Sequence, residues 1–167
     1  HVNEHLHPQA CKYETLQDLQ LIIKRNDWMI SADLQDGYYH VGIHPSHQRF
    51  LTTLIDGELY SFKALPFGLS TAPRVFTKFI RPMVKYLREN GIRMLQYLDD
   101  SIFLSQSKQG LLRIRSFVDE TFASLGLKRK ESKGCWEPTK DLQHLGIKID
   151  TNRGLFLIPV EKKNTMQ

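Results

Sequence analysis

Ile92-Arg93-Met94-Leu95-Gln96-Tyr97-Leu98-Asp99-Asp100-Ser101-Ile102-Phe103-Leu104-Ser105 is the stretch on which the fold turns. Two apolar runs, residues 92–98 and 101–105, flank a pair of carboxylates, a pattern that reads as a β-hairpin with Asp99 and Asp100 at its tip. Asp-Asp is a poor two-residue turn beside Asn-Gly or Asp-Gly. A poor local choice inside an otherwise consistent hairpin points to residues kept for function rather than for folding.

Outward from this hairpin, residues 28–34 read as a buried strand closed by Gln35, Asp36 and Gly37. A second extended run through Tyr39, Val41 and Ile43 reaches a turn at Pro45. Residues 50–55 and 59–62, joined at Asp56 and Gly57, make another hairpin. Upstream, residues 13–25 set Leu16, Leu19, Ile22 and Ile23 at helical spacing. Downstream, Ser70 or Thr71 caps a helix with Pro73 in its first turn, where a missing N–H costs nothing. That helix carries Val75, Phe76, Phe79, Ile80, Met83, Val84 and Leu87 on one face and Arg74, Lys78, Arg81, Lys85 and Arg88 on another; Pro82 is expected to kink it. A helix over residues 111–125, a basic turn at 128–133 and short strands at 142–149 and 155–160 complete the chain. No repeat, low-complexity tract or flexible linker divides it, so a single domain is expected. Helices and antiparallel strands intermix with few parallel crossovers, which makes the class α+β, an antiparallel sheet with helices packed on one face.

The 167 residues are 41% apolar and 25% charged, which excludes fibrous, collagen-like and wholly disordered chains. Between Arg74 and Arg93 six basic residues face Glu89 alone, so this segment holds the whole net charge of +5. A local positive stripe on a neutral chain suits a polyanion better than diffuse basicity does, though a solvated helix face carries the same pattern. Cys11 and Cys135 form no CxxC pair, and the expected setting is intracellular, cytoplasm and nucleus not being separable; pairing of the two in a secreted protein is the alternative. The densest apolar run, residues 155–160, is six long, and the N-terminus lacks a signal-peptide layout, so no membrane partner is expected. The chain starts at His1 and reads as a piece of something longer.

With 18 acids in 167 positions, chance alone gives about two acidic dipeptides, and the chain has two, Asp99-Asp100 and Asp119-Glu120. Context separates them. Asp119-Glu120 sits in a solvated helix. Asp99-Asp100 sits between apolar strands, where two adjacent charges are expensive unless a cation neutralises them. Asp33, ending another apolar strand, is the natural third carboxylate if the two strands are neighbours. Three carboxylates around hard cations describe a magnesium site, with manganese as a substitute. Such a site holds two ions about 3.5 to 4 Å apart, which activate an attacking hydroxyl and stabilise an in-line phosphoryl displacement.

Three runs in order carry a resemblance: Ser31-Ala32-Asp33-Leu34-Gln35-Asp36-Gly37-Tyr38-Tyr39, Leu65-Pro66-Phe67-Gly68-Leu69-Ser70-Thr71-Ala72-Pro73, and Tyr97-Leu98-Asp99-Asp100. They resemble motifs A, B and C of reverse transcriptases, in wording similar to the gypsy-like and DIRS-like retrotransposon branch; Phe76 supplies the last position of the middle motif. Leu125-Gly126-Leu127 with Lys133 resembles motif D, and His144-Leu145-Gly146-Ile147 resembles the primer-grip strand. The resemblance spans nearly the whole chain and implies a polymerase palm with part of the fingers over residues 1–167. Upstream fingers, thumb and RNase H would lie elsewhere in a longer polyprotein.

It implies that Asp33 and Asp99 ligate both metals with Asp100 secondary. Tyr38 would act as a steric gate against a ribose 2′-hydroxyl. Phe67 and Gly68 would lie under the incoming dNTP, and Lys133 near its triphosphate. Leu145 and Gly146 would hold the primer, while Arg74, Lys78 and Arg81 would contact an RNA or DNA template-primer duplex. The implied function is two-metal transfer of dNTPs to a primer 3′-hydroxyl by an RNA-directed DNA polymerase. Three positions depart from the family wording: Gly134 stands where serine is usual, Trp136 where a smaller aliphatic is common, and His144 where Phe or Tyr is frequent.

Two other readings compete. His40, His44 and His47, and likewise His1, His5 and His7, are close in sequence, but a zinc cage at such spacing wants a helix, and the segment after Gly37 reads as strand and turn. The second is a catalytically inactive retroelement remnant that only binds nucleic acid or a protein partner, motivated by the domains that 167 residues cannot hold.

Overall fold

The computed structural model of the chain describes residues 2–7 and 9–158. The helices are α1 (Leu16–Ile22), the single-turn α2 (Pro45–Gln48), α3 (Ala72–Glu89) and α4 (Lys108–Ser124). The strands are β1 (Trp28–Asp33), β2 (Thr52–Ile55), β3 (Glu58–Ser61), β4 (Arg93–Tyr97), β5 (Asp100–Ser105), β6 (Cys135–Thr139), β7 (Asp141–His144), β8 (Ile147–Asp150) and β9 (Leu155–Leu157). Where one body was expected, the residues fall into two compact units, one of residues up to Lys12 and Asp36–Pro82, the other of Tyr13–Gln35 and Met83 onward. No linker marks the division because the chain passes between units inside ordinary segments, once within α3 at Pro82.

The second unit is built on an antiparallel sheet in the order β4-β5-β1-β6. Alternation along the strands sorts its side chains. Met29, Leu95, Ile102 and Leu104 point to one face, where Leu19 of α1 with Leu142 and Ile149 of β7 and β8 completes a buried cluster. Residues one step out of phase, Ile30, Met94 and Phe103, are buried on the opposite face. α4 contributes nothing to the first cluster yet lies along β5, β1 and β6, so it covers this second face. The class is α+β as expected, but the helices do not share one face: the short α1 and the small sheet β7-β8-β9 close the side away from α4, because Leu19 completes the cluster that α4 does not reach.

Several local expectations need correcting. α1 is shorter than residues 13–25. Thr15 donates its backbone N–H to Asp18 at 2.7 Å and sets the start. Ile23 is already extended, and Asp27, fully buried, takes the N–H of Lys24 at 2.7 Å and turns the chain into β1. The extended run expected through Tyr39 to Ile43 is instead a 3-10 turn over Gly37–His40, closed by Tyr39 N–H to Asp36 at 2.8 Å and Val41 N–H to Tyr38 at 3.0 Å; only the Gly42–Ala64 bridge is sheet-like. Residues 142–149 form a hairpin rather than one strand, because Leu145 and Gly146 both adopt positive φ, 48° and 73°. β6 was not foreseen; Pro138 hides it, and proline is tolerated there because β6 is an edge strand. β9 ends at Leu157, and Pro159 and Val160 of the expected strand lie outside the described residues.

In the first unit β2 and β3 form the expected hairpin, Ile55 opposite Glu58. α3 begins at Ala72 with Pro73 in its first turn and carries Pro82 in its interior without ending there. No helix among the described residues is long and apolar enough to cross a membrane.

Candidate active site

The β1–β5 ladder puts Asp33 directly opposite Asp100, and the β4–β5 ladder puts Tyr97 opposite Asp100. The two-residue connection is therefore Leu98-Asp99, one position earlier than the Asp99-Asp100 tip read from sequence, and Asp100 is already strand. Leu98 takes φ 51°, a left-handed conformation that costs a leucine about 1 kcal/mol or more. The strain is held from beneath. Gln96 donates to the Leu98 carbonyl at 2.6 Å and accepts from the buried Ser101 hydroxyl at 2.7 Å, while Leu34 N–H donates to the Asp99 carbonyl at 2.9 Å. Gln96 and Ser101 thus position the turn. Reading the strands as uniformly apolar passed over them; the clue was a buried-looking glutamine two residues before the turn.

Asp99 and Asp100 both feel burial and the neighbouring acids. Burial, then the charges of Asp99 and Asp33, push the Asp100 carboxyl up to about 6, against the pull of Lys133, and a hydrogen bond with Asp33 adds to the rise. Burial and the charge of Asp33 also raise Asp99, opposed by Lys133 and Lys130. The cluster is short of positive charge. As a donor set it is all oxygen, which fits a hard divalent cation. Among the described residues no three acid, histidine or cysteine side chains close into a finished cage.

Lys133 reaches this cluster from the loop before β6, its Nζ 3.6 Å from Asp33 Oδ2. Gly134 follows it at φ 75°, packed so tightly on β1 that a Cβ there would lie 2.6 Å from the Ser31 carbonyl oxygen. This explains glycine where the family wording has serine. Asp33, Asp100, Lys133 and Gly134 line a cavity of about 650 Å³ whose other wall includes His144, Leu145 and Gly146. Asp99 is not part of that lining. His144 is 5% exposed, its Nε2 is buried without a partner, and burial lowers its pKa to about 4, so the ring is neutral at pH 7.

Tyr38, Phe67 and Gly68 belong to the first unit. There Tyr38 stacks on Phe67 at 5.0 Å and leans on Phe76 at 5.4 Å, and Phe67 is 67% exposed. Gly68 takes φ 85°. Asn3 clamps this loop, donating to the Gly68 carbonyl and accepting from Ser70 N–H, each at 2.9 Å. Nothing in the sequence marked Asn3. Of the basic stripe, Lys78 and Arg81 are exposed and Arg74 is half-buried. Arg88 is committed elsewhere, to Glu14 at 2.7 Å and the Met94 carbonyl at 3.0 Å.

Residues 1–149 match the family described as reverse transcriptase (RNA-dependent DNA polymerase). The chain is 30% identical over 115 residues to the genome polyprotein of Petunia vein clearing virus, covering 69% of this chain and 5% of that protein. It is 27% identical over 149 residues to the enzymatic polyprotein of Soybean chlorotic mottle virus, covering 87% of this chain and 21% of that protein. Its backbone superposes on a foamy viral protease-reverse transcriptase solved in complex with double-stranded DNA, with a TM-score of 0.85 and 21% identity over 99% of this chain and 28% of that one, a likeness of fold. The chain therefore spans about a fifth or less of the viral polyproteins it matches. A family match over nearly the full length, joined to an antiparallel sheet that brings Asp33 against Asp100 beside Asp99, places this chain in the reverse transcriptase family.

Proposed function

We propose that the chain is the palm, with part of the fingers, of an RNA-directed DNA polymerase that adds deoxynucleotides to a primer 3′-hydroxyl. The observation that carries this is Asp33 opposite Asp100 with Asp99 one residue away, in a chain of this family. Asp33 and Asp99, with Asp100 as a secondary ligand, would hold two magnesium ions, and manganese would substitute. When bound, the ions supply charge neutralisation at the phosphoryl centre and a more acidic attacking hydroxyl. The residues contribute position. Gln96 and Ser101 fix the Leu98-Asp99 turn. Lys133 presents an ammonium on the Asp33 side, where a triphosphate would bring its charge. Leu145 and Gly146, at the tight turn of the β7–β8 hairpin, would hold the primer strand. The exposed Phe67 ring and the Gly68 backbone would meet the nucleotide, and Tyr38, packed between Phe67 and Phe76, would deny room to a 2′-hydroxyl.

Arg74, Lys78 and Arg81 would contact the phosphates of an RNA or DNA template-primer, a partner class supported by the foamy viral structures with double-stranded DNA and with RNA/DNA hybrid. Thumb and RNase H domains would be the protein partners, in keeping with the small share of each related polyprotein that this chain covers. The wording of the motifs supports a gypsy-like or DIRS-like retrotransposon as the source, and an intracellular setting goes with that reading; sequencing the flanking genomic DNA tests the source. The activity is tested by primer extension on an RNA template with deoxynucleotides and magnesium. The wild-type chain should incorporate and Asp99→Asn should not; equal incorporation refutes the assignment. Salt-sensitive binding of primer-template without incorporation by either supports the inactive remnant instead.

A further inference from the structure

Lys133 does more in this structure than lie near a nucleotide site. Its ammonium sits 3.6 Å from Asp33 Oδ2; the lysine side chain is 60% exposed and the aspartate side chain 11% exposed. A solvated cation has been laid on a buried carboxylate. The backbone holds it there. Residues 128–135 are stitched to the end of β1 and the residues just beyond it: Gln35 N–H donates to Lys128 at 2.8 Å, Lys130 N–H to the Asp33 carbonyl at 2.7 Å, and Cys135 N–H to Ser31 Oγ at 3.0 Å. Gly134 lets the strand and loop touch where any side chain would collide. The other charges around the cluster are Asp99, Asp100 and Lys130, which acts on Asp99; Asp141, on the far cavity wall, is paired with Lys148 at 2.9 Å.

We infer that Lys133 is the counter-ion of the acid cluster before metal loads, so that a divalent cation must displace its ammonium from Asp33 to bind. The inference rests on the metal reading above and goes beyond it, since it makes Lys133 an antagonist of loading in the absence of nucleotide. Removing one positive charge about 5 Å from a dication raises its affinity about fivefold at physiological salt.

The test is manganese binding to the 167-residue chain without nucleotide or nucleic acid, followed by the electron paramagnetic resonance of free Mn²⁺. Lys133→Gln should bind about fivefold more tightly than wild type, a gap that narrows at high salt. Lys133→Arg, which keeps the charge, should stay close to wild type. Asp33→Asn and Asp99→Asn should bind poorly. If Lys133→Gln binds no better than wild type while Asp33 still governs binding, the counter-ion inference is wrong and the metal reading survives. If no binding depends on Asp33 or Asp99, both fall together. Because Lys133 touches the buried Asp33, thermal melts of each variant accompany the titration, and Lys133→Arg, which keeps the charge, separates a charge effect from one on folding.

Discussion

Replacing Asp100 by asparagine should make the protein more stable at neutral pH while damaging its chemistry. The carboxyl of Asp100 is raised from 3.8 to about 6 by burial and by Asp99 and Asp33. A native state that holds a proton more tightly than the unfolded chain loses stability as pH rises through that interval. The loss begins near pH 4 and is complete a little above pH 6. Two units correspond to about 3 kcal/mol, and partial solvent screening of the site brings the usable figure down to about 1 kcal/mol. Asparagine is uncharged at every pH and can still hydrogen-bond Asp33. Thermal melts in metal-free buffer should place Asp100→Asn about 2–4 °C above wild type at pH 7 and level with it at pH 4. Saturating magnesium should stabilise wild type more than the variant and narrow the gap. An equal gain at pH 4 and pH 7 would mean that the effect is packing and not charge. No gain at pH 7 would refute the claim that burial and the neighbouring acids disfavour the charged Asp100 in the folded state.

Three further outcomes can be checked by denaturation. Asp27 is fully buried and holds both guanidinium nitrogens of Arg93 at 2.7 and 2.8 Å, so Arg93→Met should cost about 3–5 kcal/mol in urea unfolding, and a loss under 1 kcal/mol would show the pair to be dispensable. His144 is held neutral with its pKa lowered to about 4, so wild type should lose up to about 3 kcal/mol as pH falls from above 6.5 to 4; His144→Phe should remove that loss, and an unchanged acid limb argues against burial of the ring. Gly134→Ala must fit a Cβ 2.6 Å from the Ser31 carbonyl at φ 75° and should cost at least about 2 kcal/mol; full stability would mean that the loop stands off β1.

Strands β1, β4 and β5 of the palm-like sheet were legible because they are short apolar runs with clear ends, and the meeting of Asp33 with Asp100 followed once β1 and β5 became neighbours; the edge strand β6, with Pro138 inside it, was not legible. What escaped was set by backbone conformation that residue type does not announce. Leu98 and Leu145 take positive φ against the preference of leucine, and each shifted a boundary: one moved the turn to Leu98-Asp99, the other split an expected strand into β7 and β8. Long-range polar contacts were equally hidden. Asn3 reaches Gly68 and Ser70 across more than sixty positions, and Asp27 reaches Arg93 across 66. The run after Gly37 looked extended because its apolar residues alternate, yet the N–H groups of Tyr39 and Val41 donate to the carbonyls of Asp36 and Tyr38 and close it into a turn. Lys133 could be picked out by type and place; that it touches Asp33 could not, because the contact depends on a glycine packed against a strand a hundred residues earlier.

The most direct test of the central claim is anomalous diffraction from crystals soaked in manganese. A peak within coordination distance of the Asp33 and Asp99 carboxylates, lost in Asp33→Asn crystals, is the predicted result. Manganese bound instead among His40, His44 and His47, with nothing at the carboxylates, would contradict it.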